Sequence, residues 1–254
     1  MARSTVSANR LAKRLGLAIA ALMLAGGMAE ASCRDVNFES RDYTACGFDP
    51  AQDKLEVFNL DQNDEPFRYF QSLARELAVE GKRLTFAMNA GMFDDNQRPI
   101  GLYVEDGKQI KKLNRRNGGG NFHLKPNGVF WIAGAKAGVM ETEAYAKSDI
   151  KPGFASQSGP MLVINGKIHP KFSETGVSRK LRNGVGVDAA GRVTFVISEN
   201  AVTFWEFAKL FRDHLNARNA LFFDGSVSSL YAPDVGRNDG FLPLGPMVGA
   251  FEMR

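Results

Sequence analysis

Histidine is scarce in this chain: His123, His169 and His214 are the only three in 254 residues, and none has a partner at metal-ligand spacing. That argues against a zinc hydrolase. Cysteine is scarcer, and the two present, Cys33 and Cys46, are too few to build a structural metal site. In an oxidising compartment, such a pair closing a short loop would tether a loose N-terminal end. A nucleophile elbow is missing as well, because Gly225-Ser226-Val227-Ser228 lacks the glycine required two positions after the serine. Asn183-Gly184-Val185-Gly186 has no helix after it and so makes no dinucleotide fingerprint. There is no internal repeat, no Pro/Ser-rich linker and no charge block to mark a second domain.

Nor is there a global charge of one sign. The first 31 residues carry four of the 32 basic side chains and one of the 28 acids, which leaves 28 against 27 over residues 32–254, a net of +1. This balance excludes a general polyanion-binding field and makes nucleic acid an unexpected partner. Residues 1–31 themselves read as a signal peptide. Arg3, Arg10, Lys13 and Arg14 form a basic start, Leu15 to Met28 an apolar stretch, and Ala29-Glu30-Ala31 a small-residue cleavage site. The apolar stretch is short and rich in glycine and alanine, so it predicts export to the periplasm or beyond, with no stable membrane insertion after cleavage.

What the chain does have is a series of strands that stop at polar residues. Lys54 to Leu60 alternates as a strand; Pro66 to Glu80 spaces Phe67, Phe70, Leu73, Ala74 and Leu77 as a helix, with Asp64 placed to cap it. Arg83 to Met88 reads as the next strand and ends at Asn89-Ala90-Gly91-Met92-Phe93. Short strands with turns follow at Gly101 to Val104, Gly128 to Ile132 and Met161 to Ile164, an antiparallel meander. Between them, Asn117-Gly118-Gly119-Gly120-Asn121 follows Lys111, Lys112, Arg115 and Arg116, a combination that could embrace a phosphate but reads first as a solvated basic loop, since charge runs usually mean exposed faces. Val185 to Val187 and Arg192 to Ser198 flank a polar hairpin turn at Asp188. Thr203-Phe204-Trp205-Glu206 is a capping-box pattern that opens an amphipathic helix, with His214 on its polar side. Leu221-Phe222-Phe223 is then apolar enough for burial on both faces and runs directly into Asp224-Gly225. A strand, a crossover helix and a strand favour a parallel pair, which would set Glu199 and Asp224 on one edge. The expected fold class is α+β: mixed, largely antiparallel sheets with a few packed helices in a single domain over residues 32–254.

The residues left at strand ends are Asn89, Arg179, Arg182, Asp188, Glu199 and Asp224. Arginine forks suit phosphate, and carboxylates serve as acid, base or nucleophile at a sugar carbon, so together they point to a phosphorylated carbohydrate.

Four segments carry a family resemblance. Asn89-Ala90-Gly91-Met92-Phe93 resembles the Asn-Gly-Gly-Phe-Phe motif of the phosphodiester glycosidases. Ser158-Gly159-Pro160-Met161-Leu162-Val163 resembles their Gly-Pro-x-Leu strand, Arg182 to Asp188 their Arg-Thr-Ala-Ile-Gly segment, and Asp224 to Ser229 their Asp-Gly-Gly-Gly-Ser-Ser signature. Here Ser226 and Val227 replace glycines. The resemblance implies a hydrolase that cuts the glycosidic bond of a sugar-1-phosphodiester, small or polymeric, releasing sugar and a phosphomonoester. It implies Asp224 as nucleophile or base, Glu199 as second carboxylate, and Arg182, helped by Arg179, as phosphate clamp. Asn89 and Ser228 would orient hydroxyls or water, and Gly91 and Gly225 would meet substrate. No cofactor is called for, although Asp188, Glu199 and Asp224 would suit a divalent cation if they converged. The competing reading is a non-catalytic envelope protein that binds glycans or anionic polymers in the same cleft. Oligomeric state is not readable from the sequence.

Overall fold

The computed structural model describes Met1 and residues 32–253; apart from Met1, the signal peptide read over residues 1–31 lies outside them. Three sheets share one core. The largest has seven strands, in the order β1 (Ser32–Phe38), β2 (Arg41–Phe48), β13 (Val193–Ser198), β12 (Asn183–Asp188), β14 (Ala217–Phe222), β10 (Met161–Ile164) and β11 (Lys167–Ile168). The second runs β16 (Arg237–Asn238), β15 (Leu230–Ala232), β4 (Lys82–Asn89), β17 (Met247–Met253) and β3 (Leu55–Phe58). The third runs β6 (Lys108–Lys111), β5 (Tyr103–Glu105), β9 (Phe154–Ser158), β7 (Gly128–Ala133) and β8 (Lys136–Glu141). All neighbouring strands are antiparallel.

Alternation along the strands decides which side chains meet. In β14 and the residue after it, Leu221 and Phe223 enter the central core, while Ala220 and Phe222 enter a second core on the other face. The central core joins all three sheets through rings such as Phe48, Phe86, Phe130 and Phe195, whose centroids lie 4.8 to 5.8 Å apart. The second core is covered by α3 (Phe204–Lys209) and the π-type turn Leu210–His214 that continues it, through Phe207, Ala208, Leu210 and Phe211. The predicted capping box is present: Glu206 N donates to Thr203 Oγ1 (3.2 Å) and Thr203 N to Glu206 Oε2 (2.8 Å). The helix α1 (Phe70–Val79) covers the outer face of the second sheet with Phe70, Leu73 and Leu77. A short helix, α2 (Thr142–Tyr145), follows β8.

Two expectations shift. The helix read from Pro66 begins at Phe70, because Pro66 bridges to Leu60 and Arg68 takes a positive φ of 62°. Asp64, itself at φ 61°, lies in the preceding turn, and Tyr69 holds the N-cap position without a side-chain bond. Second, β13 and β14 are parallel in direction but not neighbours: β12 lies between them and is antiparallel to both. Their carboxyl ends, together with the start of β12, therefore share one edge.

The N-terminal segment is a β1–β2 hairpin rather than a loop, and Cys33 and Cys46 are direct cross-strand partners joined by a disulfide. β1 is an outer strand whose residues are mostly exposed, whereas Cys46 is fully buried. Replacing both cysteines with alanine should free that edge and lower Tm by a few degrees, on the order of 2 kcal/mol. Thermal melts with and without reductant check this; a collapse of the whole fold would show that β1 holds more than its own edge.

At the end of β5, burial pushes the Glu105 carboxyl up to about 7, with Asp106 and Glu56 adding like charge. The Tyr103 hydroxyl beside it forms no hydrogen bond of normal geometry, so its support for the carboxylate is weak and burial dominates. A raised carboxyl favours the fold in its protonated form, a contribution present in acid and lost as pH rises through about 7. Glu105→Gln should therefore raise Tm above neutral pH and leave it unchanged in acid. A uniform shift at every pH would assign the effect to packing.

Candidate active site

The edge where β4 ends, β12 begins and β14 ends gathers the polar residues. Asn89 and Asn183, each the terminal residue of its strand, are fully buried and face each other across the sheet boundary. Asn183 Nδ2 donates to Asn89 O (2.9 Å) and Asn89 Oδ1 (2.8 Å). Asn89 Nδ2 donates to the Asp224 carbonyl (3.0 Å) and, at 3.4 Å, to Asn183 Oδ1. Asn183 Oδ1 also accepts from the Asp224 amide (3.3 Å) and the Ser228 hydroxyl (3.4 Å), while Ser229 N donates to Asn89 Oδ1 (3.0 Å). Two buried amides thus hold the whole Asp224–Ser229 turn, and buried amides fully paired in this way give a rigid, well-specified geometry. A third strand contributes from the other side: Ser158 at the end of β9 donates to the Phe223 carbonyl (2.8 Å).

Asp224 is the carboxylate this frame carries. Burial raises its carboxyl above the ordinary range, and the Ser226 amide, which donates to Oδ1 at 3.0 Å, pulls in the opposite direction. Residues Gly225–Val227 form a single 3₁₀ turn capped by that carboxylate. Gly225 has little room for a side chain, because a Cβ there would lie 2.7 Å from the Leu181 carbonyl and 3.1 Å from the Phe222 ring. At Gly91 a Cβ would lie 2.6 Å from the Ser156 hydroxyl, which itself donates to the Ala90 carbonyl (2.6 Å). Both glycines are thus explained by close packing beneath the site. Val227, one of the glycine replacements, packs against the α1 core, and Ser226 is exposed.

The other expected residues stand differently. Glu199 follows β13 on the same edge, but two strands from β14, a spacing on the order of 10 Å. Its carboxylate accepts from Thr44 Oγ1 (2.8 Å) and from Arg237 (2.7 Å to each oxygen), and Arg237 in turn donates to Asp239 (2.8 Å). Arg182 is 3 % exposed and is not an open clamp. Its Nε donates to the Val202 carbonyl (2.9 Å), its NH2 to the Ser178 carbonyl (3.1 Å), and its guanidinium lies 3.6 Å from the centroid of Phe204. Burial without a carboxylate partner pulls it down to about 10, so it remains charged at neutral pH. Arg179 pairs with Glu206 (2.7 Å) of the helix cap rather than joining the cleft. Asp188 lies at the opposite end of β12, where it accepts from the Ala190 and Arg192 amides of its hairpin (2.9 and 3.0 Å). Among the described residues no cluster of three or more His, Cys, Asp or Glu is placed to hold a metal.

Asn183, Ser158, Ser229 and Arg237 are the positions that sequence reasoning did not nominate. Asn183 stands immediately after Arg182 in a segment already singled out, so its strand-start position was the available signal. Ser158 and Ser229 likewise stand in singled-out segments, at their first and last residues, whereas Arg237 shows no local pattern and takes its role from a contact 38 residues back in the chain.

Comparison with known proteins places the chain in a family and a fold. The phosphodiester glycosidase family model matches residues 82–242. YigE of Escherichia coli K12, itself uncharacterized, is 34% identical over 220 residues, which is 86% of this chain and 85% of that protein. Among solved structures, the catalytic domain of zebrafish N-acetylglucosamine-1-phosphodiester alpha-N-acetylglucosaminidase, auto-inhibited by its pro-peptide, superimposes with a TM-score of 0.58. It is 18% identical and covers 87% of this chain and 82% of its own. A Burkholderia pseudomallei K96243 protein assigned as exported has a TM-score of 0.54 at 10% identity, over 83% of this chain and 74% of its own. At these identities the structural likenesses show the fold alone, whereas the family model takes in every segment that builds the Asn89, Asn183 and Asp224 network. The chain belongs to the phosphodiester glycosidase family.

Proposed function

We propose that the protein is an exported hydrolase that cleaves the glycosidic bond of a sugar-1-phosphodiester. The observation that carries this reading is Asp224: a carboxylate with a burial-raised pKa, on a residue whose backbone is held by two buried amides at the meeting of three strand ends. Perturbed carboxyls in rigid polar frames mark catalytic positions. Export is supported by the basic and apolar start of the chain, by the disulfide, and by the likeness to a protein assigned as exported. No helix among the described residues is long and apolar enough to cross a membrane.

In the proposed reaction the bond between the anomeric carbon and the phosphate oxygen breaks, water adds at the carbon, and the phosphate leaves as a monoester. A phosphate is already a weak base, so protonating it matters less than stabilising charge as it departs. Asp224 acts as nucleophile or base at the oxocarbenium-like centre, and Ser228 and Asn89 set its surroundings. Glu199, with Arg237, is the second charged group on the edge. Arg182 braces the segment leading to Asn183 and leaves phosphate contact to cations nearer solvent.

The test is a release assay on a panel of sugar-1-phosphodiesters, nucleotide sugars included. Free sugar plus a phosphomonoester is the expected product pair. Release of a sugar phosphate would instead mean cleavage of the phosphorus–oxygen bond, and tight binding without turnover would favour the non-catalytic glycan-binding reading.

A further inference from the structure

The basic segment between β6 and β7 is left unused by the Asp224 machinery, yet it is anchored beside it. Asn114 N donates to Gln157 Oε1 and Gln157 Nε2 to Asn114 O, both at 2.8 Å. Gln157 lies between Ser156, which holds the Ala90 carbonyl, and Ser158, which holds the Phe223 carbonyl. On its return the segment packs equally close, because a Cβ at Gly159 would lie 2.8 Å from the Phe122 carbonyl. Asn114 and Phe122 are thus each fixed to a residue next in the chain to Ser158, Asn114 on the opposite face of β9 from the Ser156 and Ser158 contacts.

On either side of and between those anchors, several side chains are cationic and face water. Lys111, Lys112 and Arg116 are exposed and Lys125 half-buried. Among the described ion pairs only Arg115 of this segment has an acidic partner, Glu143; Lys125 donates instead to the Arg115 carbonyl (2.7 Å). Lys108, at the far end of β6, faces Glu105 across the hairpin and is left out of the set. Three exposed cations without an acidic partner, with Lys125 near Glu143 beside them, on a chain whose residues 32–254 carry a net of only +1 are a local concentration of charge, not a share of a general one. Edge-strand lysines can serve merely to prevent sheet-to-sheet pairing, but Arg116 and Lys125 lie beyond the strand. An extended run from Lys111 to Arg116 covers roughly 20 Å, several phosphate repeats long.

We propose that the Lys111–Lys125 segment is a second binding surface, adjoining the Asp224 site, for the phosphate-bearing chain of an anionic glycan polymer. Placement of the scissile sugar rests on the glycosidase reading; the surface itself does not. Nucleic acid fits less well, because no aromatic side chain occurs from Lys108 to Asn121 and Phe122 is buried, so no platform exists on which bases would stack.

The experiment measures binding of long-chain polyphosphate, inorganic phosphate and oligothymidylate to the wild-type protein, as none of the three is a glycoside. Polyphosphate is expected to bind with strong salt dependence and inorganic phosphate far more weakly. The triple variant Lys111→Glu/Lys112→Glu/Arg116→Glu should weaken polyphosphate binding roughly tenfold or more with Tm unchanged. The pair Arg75→Glu/Arg192→Glu, on α1 and on the β12–β13 hairpin, should leave it unaltered. Absent polyphosphate binding, or equal loss in both variants, overturns the proposal; oligothymidylate binding as tight as polyphosphate overturns the polymer class. Sugar release from a small sugar-1-phosphodiester, assayed on the same triple variant, should be retained. If the wild type cleaves no such substrate while polyphosphate still binds, the glycosidase reading fails and the surface stands.

Discussion

Asp224→Asn is expected to reduce sugar release by roughly a thousandfold or more, without loss of stability. The substitution keeps a carbonyl oxygen to accept from the Ser226 amide, so the capped turn survives. What it removes is a charge in a place where burial disfavours charge. The sign follows from linkage: a carboxyl raised in the folded state favours folding when protonated, and that contribution is lost as pH rises through its folded value. At neutral pH the wild type therefore bears a cost that the variant lacks, and the variant should melt at the same temperature or higher. In acid, below the ordinary aspartate range, the two should coincide. Melting curves at both pH values, paired with the release assay, separate a catalytic carboxylate from a structural one. Full activity in the variant would remove Asp224 from the mechanism, and a large drop in Tm at neutral pH would make it a structural residue.

Asn89 and Asp224 were legible in the sequence because each ends an apolar strand, and hydrophobic alternation is a local signal. The burial of Phe222 and Phe223 on opposite faces, the capping box at Thr203 and the hairpin role of Asp188 were legible for the same reason. The partnership of Asn89 with Asn183 was not, because it joins residues 94 positions apart on different sheets. Adjacency was misjudged where topology intervenes: β13 and β14 run parallel across the crossover helix as expected, but β12, earlier in the chain, is inserted between them. Glu199 was consequently drawn closer to Asp224 than the strand order allows. The β1–β2 hairpin was missed because an exposed outer strand such as Ser32–Phe38 shows little apolar alternation. Arg179 and Arg182 were read as available cations because sequence shows their charge but not their partners.

Arg182→Ala should be the most destabilising of the single substitutions considered, at about 2–4 kcal/mol. It takes one of two donors from the buried Val202 carbonyl, which keeps the Lys180 amide (3.1 Å), removes the donor to the Ser178 carbonyl and strips the cation from the face of Phe204. Part of that loss is offset because a buried charge without a carboxylate partner also disappears. Arg182→Lys should recover little, since a point charge on a flexible stem neither lies flat on a ring nor donates in a fixed fork. The stability change alone does not separate a brace from a phosphate clamp, but substrate comparison does. The Arg182 amide donates to Ser198 Oγ (2.9 Å), and the next residue is Asn183, so disturbing this side chain loosens the amide pair that holds Asp224. A brace predicts the same proportional fall in kcat/KM for a sugar-1-phosphodiester and for an aryl glycoside of the same sugar, provided both are assayed well below the variant's Tm. A clamp predicts a much larger fall for the phosphodiester. Because Nε and NH2 already donate to carbonyls, one face lies on Phe204 and the side chain is buried, equal falls are expected, and a phosphate-selective loss would place Arg182 in contact with substrate.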